Sequence, residues 1–264
     1  MIRCLIIEWK KALFDKGIIL TGIGIFFINF LNLWDEMQLH PTYMSSSVLY
    51  FWVNRHGLGG ITILIFLLCS IPYGIQFCVE KGNGSWKYFL IREKFSQYLI
   101  SKILVTVITA LLASLIGYLL LFIVLALKYP LFPTDQVIFE QMIEGLPFEQ
   151  LALQNRPIFF VLNIIPEVMM IAFMSTLSLV AGTWTENKYV VIATPMIVYY
   201  AWNYLTGSLK LPEIFWWTLK ISDGFQYFKN DLANCFFTIG YYLVGITIVG
   251  CTFFKRCKGD IENV

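Results

Sequence analysis

Residues 103–127 read ILVTVITALLASLIGYLLLFIVLAL, 25 consecutive positions without an Asp, Glu, Lys or Arg. As a helix rising 1.5 Å per residue this run covers about 37 Å, more than the roughly 30 Å of a bilayer's hydrocarbon core. Working outward, five more apolar stretches follow at 18–33, 58–79, 158–182, 189–205 and 232–254. The shortest, 18–33 and 189–205, are expected to be lengthened by flanking aromatic residues. None alternates with the strand-length period that marks a barrel, so helices are expected. The whole chain agrees: of 264 residues 58% are apolar and only 14% charged, against about 25% charged in soluble domains. These proportions exclude a soluble globular domain, a disordered chain and a collagen-like one. The fold expected is an all-α integral membrane protein with six transmembrane helices, a single transmembrane domain over 1–264.

The ends of this domain carry two additions. Residues 2–15 read as an amphipathic helix with Ile2, Leu5, Ile6, Trp9 and Leu13 on one face and Arg3, Lys10 and Lys11 off it. Such a helix is expected to lie in the membrane interface. The apolar run behind it starts only after Lys16 and no small-residue cleavage site follows, so it is not read as a signal peptide. Between spans five and six, residues 212–231 mix Trp216, Trp217, Phe225 and Tyr227 with Lys220, Asp223 and Lys229. Too polar to span and too aromatic to be freely solvated, the segment is expected to be partly re-entrant, with a helix over 214–219.

Orientation follows from the basic residues. With the N-terminus inside, 13 of the 19 Lys and Arg fall in cytoplasmic segments and 6 in outer loops, Arg55 being the one in the first outer loop. Both termini are therefore expected in the cytoplasm, and the location expected is a bacterial plasma membrane. The 6 cysteines fall in spans or on the cytoplasmic side, so no disulfide framework is implied. The longest outer loop, 128–157, carries two short acidic amphipathic stretches at 134–144 and 147–154.

Inside the spans, Thr109, Ala113 and Gly117, and again Met174, Ser178 and Gly182, recur every four residues. Small-residue stripes of this kind let helices approach closely in lipid. Pro72 and Pro195 are expected to kink spans two and five. Glu167 is the only acid near the middle of a span, and Pro166 precedes it. A charge at that depth costs roughly 2.5–3.5 kcal/mol on insertion scales, so the carboxylate should face protein or water. Two placements are open: lining a substrate path, which Pro166 favours, or hydrogen-bonding a helix of its own bundle, with Asn163 in reach.

Several chemistries are missing. There is no GxxxxGK[ST] loop, because Ile23 stands where the lysine after Gly22 would be needed. There is no HExxH and no GxSxG. His40 and His56 lie in the first outer loop without cysteines beside them and read as surface residues. Basic residues follow the membrane rule and offer nucleic acid nothing. An enzyme is not expected, nor a cofactor or metal bound by this chain.

The loop after span two is the most informative. It runs EKGNGSWKYFLIREK over 80–94 and continues to Lys102. Gly82 and Gly84 suit a turn, after which Trp86, Phe89 and Leu90 share one face of a short helix, with Lys87 and Arg92 elsewhere around it. Such a helix can fit a groove on a soluble partner. Here the chain resembles the permease subunits of type-2 ABC exporters, which combine an interfacial N-terminal helix, six spans and a loop of the form Glu, Gly-Ser/Thr, a Leu-rich turn and a Lys opening span three. Glu80, Gly84, Ser85, Leu90 and Lys102 stand at those positions. The Pro and the small-residue–Arg pair usual after the Leu turn are absent, replaced within 92–97.

The resemblance implies half of a transport path. Two permease chains, identical or homologous, would pair in the lipid bilayer, each coupled through Glu80, Gly82, Gly84, Ser85, Trp86, Lys87, Phe89, Leu90 and Arg92 to a separate cytoplasmic ABC ATPase that binds ATP and Mg. The substrate class it ranks first is antimicrobial peptides of the lantibiotic kind. Two other classes stand beside it: an ion-coupled secondary transporter, for which Glu167 would be the coupling group, and a non-transporting scaffold or sensor subunit. The topology makes a direct prediction. Single cysteines placed within 128–157 of a cysteine-free variant will react with an impermeant maleimide on intact cells; reaction only after permeabilisation contradicts the orientation.

Overall fold

The computed structural model describes residues 2–39, 46–56, 60–86, 95–217 and 225–262, and every regular element among them is a helix. In chain order these are α1 (Ile2–Phe14), α2 (Gly17–Leu39), α3 (Val48–Val53), a 3-10 segment (Gly60–Leu64) running into α4 (Ile65–Leu68), and α5 (Gln76–Gly82). Then come α6 (Phe95–Lys128), α7 (Gln136–Ile143), α8 (Glu149–Gln154), α9 (Arg156–Leu162) and α10 (Ile165–Trp184). α11 (Lys188–Ser208), a 3-10 turn (Glu213–Phe215) and α12 (Asp231–Glu262) complete the order.

Among the described residues, four stretches are long and apolar enough to cross a membrane: Gly17–Gln38, Phe95–Lys128, Arg156–Trp184 and Asp231–Gly259. Their outward faces are apolar too. On α2 alone Leu20, Ile23, Phe27, Leu31 and Trp34 are exposed, a stripe that suits lipid and not water. The other two expected segments differ. α11 has 21 residues, but Tyr189, Tyr199, Tyr200, Trp202, Asn203 and Tyr204 make it less apolar than these four. Residues 60–82 form no continuous helix. They break into the 3-10 segment, α4, turns around Pro72, and α5. Proline removes a donor and biases the preceding residue away from the helical region. Thr21 of α2 repairs part of the break by donating its hydroxyl to the Leu68 carbonyl at 3.2 Å.

α10 lies at the centre, buried along most of its length and packed on α6, α12, α11 and α5. One small-residue stripe serves the contact of α6 with α2 and the other the packing of α10. Gly117 of α6 faces Gly22 and Ile25 of α2: a Cβ added at Gly117 would stand 2.9 Å from the Gly22 carbonyl oxygen. On α10, Ser178 meets Gly74, and a Cβ at Gly182 would approach the Cys78 backbone nitrogen to 3.2 Å. Short caps fix the outer elements. The Asp135 carboxylate accepts from the Val137 amide at 2.9 Å to start α7, and Asn187 does the same for Tyr189 at 3.0 Å to start α11. The two acidic stretches of the longest loop are helical as expected, as α7 and α8.

The aromatic segment before α12 departs from expectation. Of the helix anticipated over 214–219, the described part is one 3-10 turn, and residues 218–224 lie outside the described residues. The indoles hold it in place: Trp202 donates to the Phe215 carbonyl and Trp216 to the Leu211 carbonyl, each at 2.8 Å. Trp217 is buried, stacked on Trp202 at 5.0 Å and edge-on to Phe173 at 5.5 Å. Side-chain bonds to the loop's own carbonyls compete with helix formation, so the aromatics plug inward against α10 and α11.

The α2–α6 contact gives a test. Gly117→Val will force the two helices apart and lower stability in detergent by about 1–3 kcal/mol. Gly240→Val will leave it within experimental error, because a Cβ at Gly240 meets nothing within 4 Å. Thermal unfolding of both variants beside the parent reads the difference.

Candidate functional site

Two groups of charged side chains are buried in the bundle, at different levels of α6. The first is centred on Lys102, in the second turn of α6 and fully buried. Its ammonium lies 2.5 Å from Glu8 Oε2 of α1 and 2.7 Å from Glu80 Oε1 of α5. Lys11 bridges the same two carboxylates, at 2.8 Å from Glu8 and 3.0 Å from Glu80. Tyr98 donates to Glu80 Oε2 at 2.6 Å, Tyr73 donates to Glu8, and Lys102 also reaches the Tyr73 hydroxyl at 3.1 Å. The two tyrosine rings stand 4.9 and 5.5 Å from the Lys102 ammonium. Two acids and two bases sum to zero charge, and nearly every polar atom has a partner. That is the condition under which buried ions are tolerated.

The buried face of α1 is therefore not the one its apolar pattern predicts. Cys4, Glu8 and Ala12, four residues apart, are buried, while Ile6, Leu13 and Phe14 are exposed. Glu8 sits in the middle of the buried stripe because Lys102 receives it there. Burial alone would push the Glu80 carboxyl up, but the charge of Lys102, the hydrogen bonds from Lys102 and Tyr98 and the charge of Lys11 outweigh it, holding Glu80 below its ordinary 4.5. For Lys11, burial pulls the other way from Glu8 and Glu80, and the acids hold it above 10.5.

The second group surrounds Glu167. The fourth apolar stretch is broken between α9 and α10, and Glu167 occupies the first turn of α10 and not the middle of one long helix. Pro166 stands at the start of α10, where a missing N–H costs little. Arg55, counted above as an outer-loop cation, is only 1% exposed. It donates from Nε to Glu167 Oε2 at 3.2 Å, to the Trp52 carbonyl at 2.8 Å, to the Asn163 carbonyl at 3.2 Å and also to Asn163 Oδ1. Its guanidinium lies 5.7 Å from the ring centres of both Trp52 and Tyr118. His56 Nε2 comes within 3.5 Å of Glu167 Oε2, so His56 belongs to this group and is not simply a surface residue. Of the two placements open to Glu167, the carboxylate takes the one inside its own bundle. It is 2% exposed, and its Oε1 has no hydrogen-bond partner among the described residues.

The loop residues are placed as follows. α5 ends at Gly82, and Gly84 adopts φ of +69°, the left-handed conformation that glycine enters without penalty. Gly84 donates its amide to the Lys81 carbonyl at 3.0 Å, and Ser85 donates its hydroxyl to the Glu80 carbonyl at 3.3 Å. The expected glycine turn is therefore formed. Trp86 is buried at 7% exposure within this chain. Lys87, Phe89, Leu90 and Arg92 lie outside the described residues. Glu80 and Lys102, which bracket the loop, are in direct contact. Glu8, Lys11, Tyr73, Tyr98 and Arg55 complete the two groups without having been singled out by sequence. The signal for Arg55 was present: a buried acid needs a cation, and Arg55 is the one base between the first two apolar stretches. Among the described residues no cluster of His, Cys, Asp and Glu is arranged to hold a metal ion. No family model matches this chain, and neither a curated protein nor a solved structure matches it.

Two outcomes follow. Glu167→Gln will not be silent, because it strands the Arg55 charge in the interior. That variant and Arg55→Met will each lose about 3–5 kcal/mol, and the double variant will recover part of the loss in a thermal double-mutant cycle. The Glu80 contribution, from a lowered pKa, is complete above about pH 4.5 and disappears as pH falls through the folded-state value. The Lys11 contribution, from a raised one, is complete below about pH 10.5 and is lost above it. The melting-temperature gap between the parent and Glu80→Gln will thus be constant near neutrality and close on acidification below about pH 4.5.

Proposed function

We propose that the chain is the membrane-spanning subunit of an ATP-driven exporter of the type-2 ABC class, paired with a second permease chain and served by a separate cytoplasmic ATPase that binds ATP and Mg. One observation carries this reading. Glu80 and Lys102, the two ends of the loop that resembles the family's coupling loop, meet at 2.7 Å and are locked to the N-terminal helix through Glu8. A push on residues 83–94 by an ATPase would pass through α5 and Lys102 into α6 and, through Glu8, into α1. In the full proposed layout, 58–79 and α11 complete six spans, both termini are cytoplasmic, and the segment after α11 caps the outer side.

The proposal assigns the residues two roles. Trp86, Gly82, Gly84 and Ser85 shape the loop, and Lys87, Phe89, Leu90 and Arg92 would meet the ATPase. The Arg55–Glu167 pair holds the outer half closed, and Glu167 would face a path only when Arg55 releases it. Antimicrobial peptides remain the first-ranked substrate class. The burial of Glu167 also favours a second reading, an ion-coupled secondary transporter with Glu167 as the coupling group.

One experiment separates the two. The chain is co-expressed with a Walker-type ATPase encoded beside it and reconstituted in liposomes. The proposal expects co-purification, and ATP hydrolysis that Lys102→Met uncouples while the complex stays assembled. Failure to co-purify with any such ATPase, together with transport driven by a proton gradient alone, would falsify it in favour of the secondary transporter.

A further inference from the structure

A groove of about 480 Å³ opens between α6 and α9, within the roughly 300–1,000 Å³ typical of small-molecule sites. Leu115, Leu119 and Phe122 line it from α6, Pro157, Phe160 and Val161 from α9, and Ile164 from the junction between α9 and α10. On α6 these positions lie three or four residues apart, and on α9 Phe160 and Val161 stand three and four residues after Pro157, the spacing of one helix face. Trp52 and Tyr118 form the inner wall, and behind them lies Arg55. Among the described residues no charged side chain lines the groove. It opens sideways: Leu115, Leu119 and Val161 are 45%, 59% and 62% exposed. Leu115 is the midpoint of the apolar run 103–127, so the opening faces the hydrocarbon of the bilayer and not water.

One end of the groove is different. Phe132 lines it there, and the guanidinium of Arg156 stands 6.0 Å from the Phe132 ring centre and 4.3 Å from that of Phe139. Arg156 is the first residue of α9, and Lys128, the last residue of α6, holds its ammonium 5.3 Å from the Tyr129 ring. Both residues mark ends of membrane-spanning stretches. Neither forms an ion pair among the described residues. Acids of the same outer loop are turned to other donors, Glu140 to Gln136 at 2.9 Å and Glu149 to the Gly145 amide at 3.0 Å. The apolar slot thus ends beside Arg156, with Lys128 at the end of the helix that forms its other wall, and neither cation has an ion-pair partner among the described residues.

We propose that this groove is a lipid site that takes one hydrocarbon chain of an anionic phospholipid, with the phosphate received by Arg156 and Lys128. A planar guanidinium suits a phosphate in two-point contact, and basic residues at a span's end attract acidic head groups. The hydrocarbon chain fills a gap that would otherwise leave the groove-facing side of the aromatic wall without van der Waals contacts. The assignment does not depend on the transport function proposed above.

The test is native mass spectrometry of the detergent-purified protein after exposure to equal amounts of phosphatidylglycerol and phosphatidylcholine with matched chains. The expected result is a retained phosphatidylglycerol adduct, favoured at least several-fold. Arg156→Ala with Lys128→Ala will abolish the preference. Val161→Trp, which fills the groove from its lipid-facing rim, will remove the adduct with little change in melting temperature. Arg156→Glu, a surface change that cannot empty the groove, will reverse the preference and keeps the test decisive if the Trp variant misfolds. Equal retention of the two lipids by the parent protein overturns the proposal. So does a Val161→Trp variant that keeps its lipid and instead changes the number of protomers, because the groove is then a subunit interface.

Discussion

A lysine ammonium held out of water between two carboxylates organises the N-terminal half of this protein. Lys102 draws Glu8 and Glu80 to one point, and with them three elements that are distant in sequence: α1, α5 and the start of α6. None of these residues could be buried alone, since an isolated ion in the interior costs far more than a helix contact returns. Because the four charges cancel and the tyrosine hydroxyls fill the remaining acceptor sites, the arrangement is closed. Everything nearby conforms to it, including the amphipathic helix, which turns its only early carboxylate inward and leaves Ile6 and Leu13 on its outer side.

The Arg55 group does the same work at the other level of the bundle. Tyr118 lies 16 residues beyond Lys102, about 24 Å further along α6. Between the two levels the helices touch through Thr109, Ala113 and Gly117 with no ionic tie. α6 is thus pinned at two heights and packed by small residues in between. The interruption at Pro72, the one between α9 and α10, and the left-handed Gly84 all sit beside one of the pins or at the loop that leads to it. Backbone groups freed at the two breaks are taken by Thr21 and Arg55.

How much of this could be read from sequence follows from the length scale of each signal. Long apolar runs report a property of some twenty residues at once, so the membrane class and four of the six expected spans were plain, while 58–79, broken around Pro72, and the tyrosine-rich 189–205 were read as spans on the same signal. The four-residue spacing of Thr109, Ala113 and Gly117 is equally local, and it gave the α2–α6 contact face. Gly84 announced a turn because few residues tolerate its conformation. The ionic groups are different. Arg55 was counted as an outer-loop cation and Lys102 was read as the lysine that opens span three, the ordinary default for a base beside a span. Their burial depends on Glu8 and Glu167, 94 and 112 positions away, and no local pattern carries that information. The inward plug of Trp217 was misjudged for a similar reason: an aromatic cluster next to a polar loop reads the same whether its rings meet lipid or a neighbouring helix.

The separation between Glu8 and Lys102 also sets an order of events during synthesis. A ribosome adding about 5–20 residues per second takes roughly 5–20 s to travel the 94 positions between them. Through that interval Glu8 has only Lys11, one helical turn away, as a charged neighbour, and water must solvate what remains. The seat of α1 is therefore complete only once α6 has been made and has brought Lys102 to it.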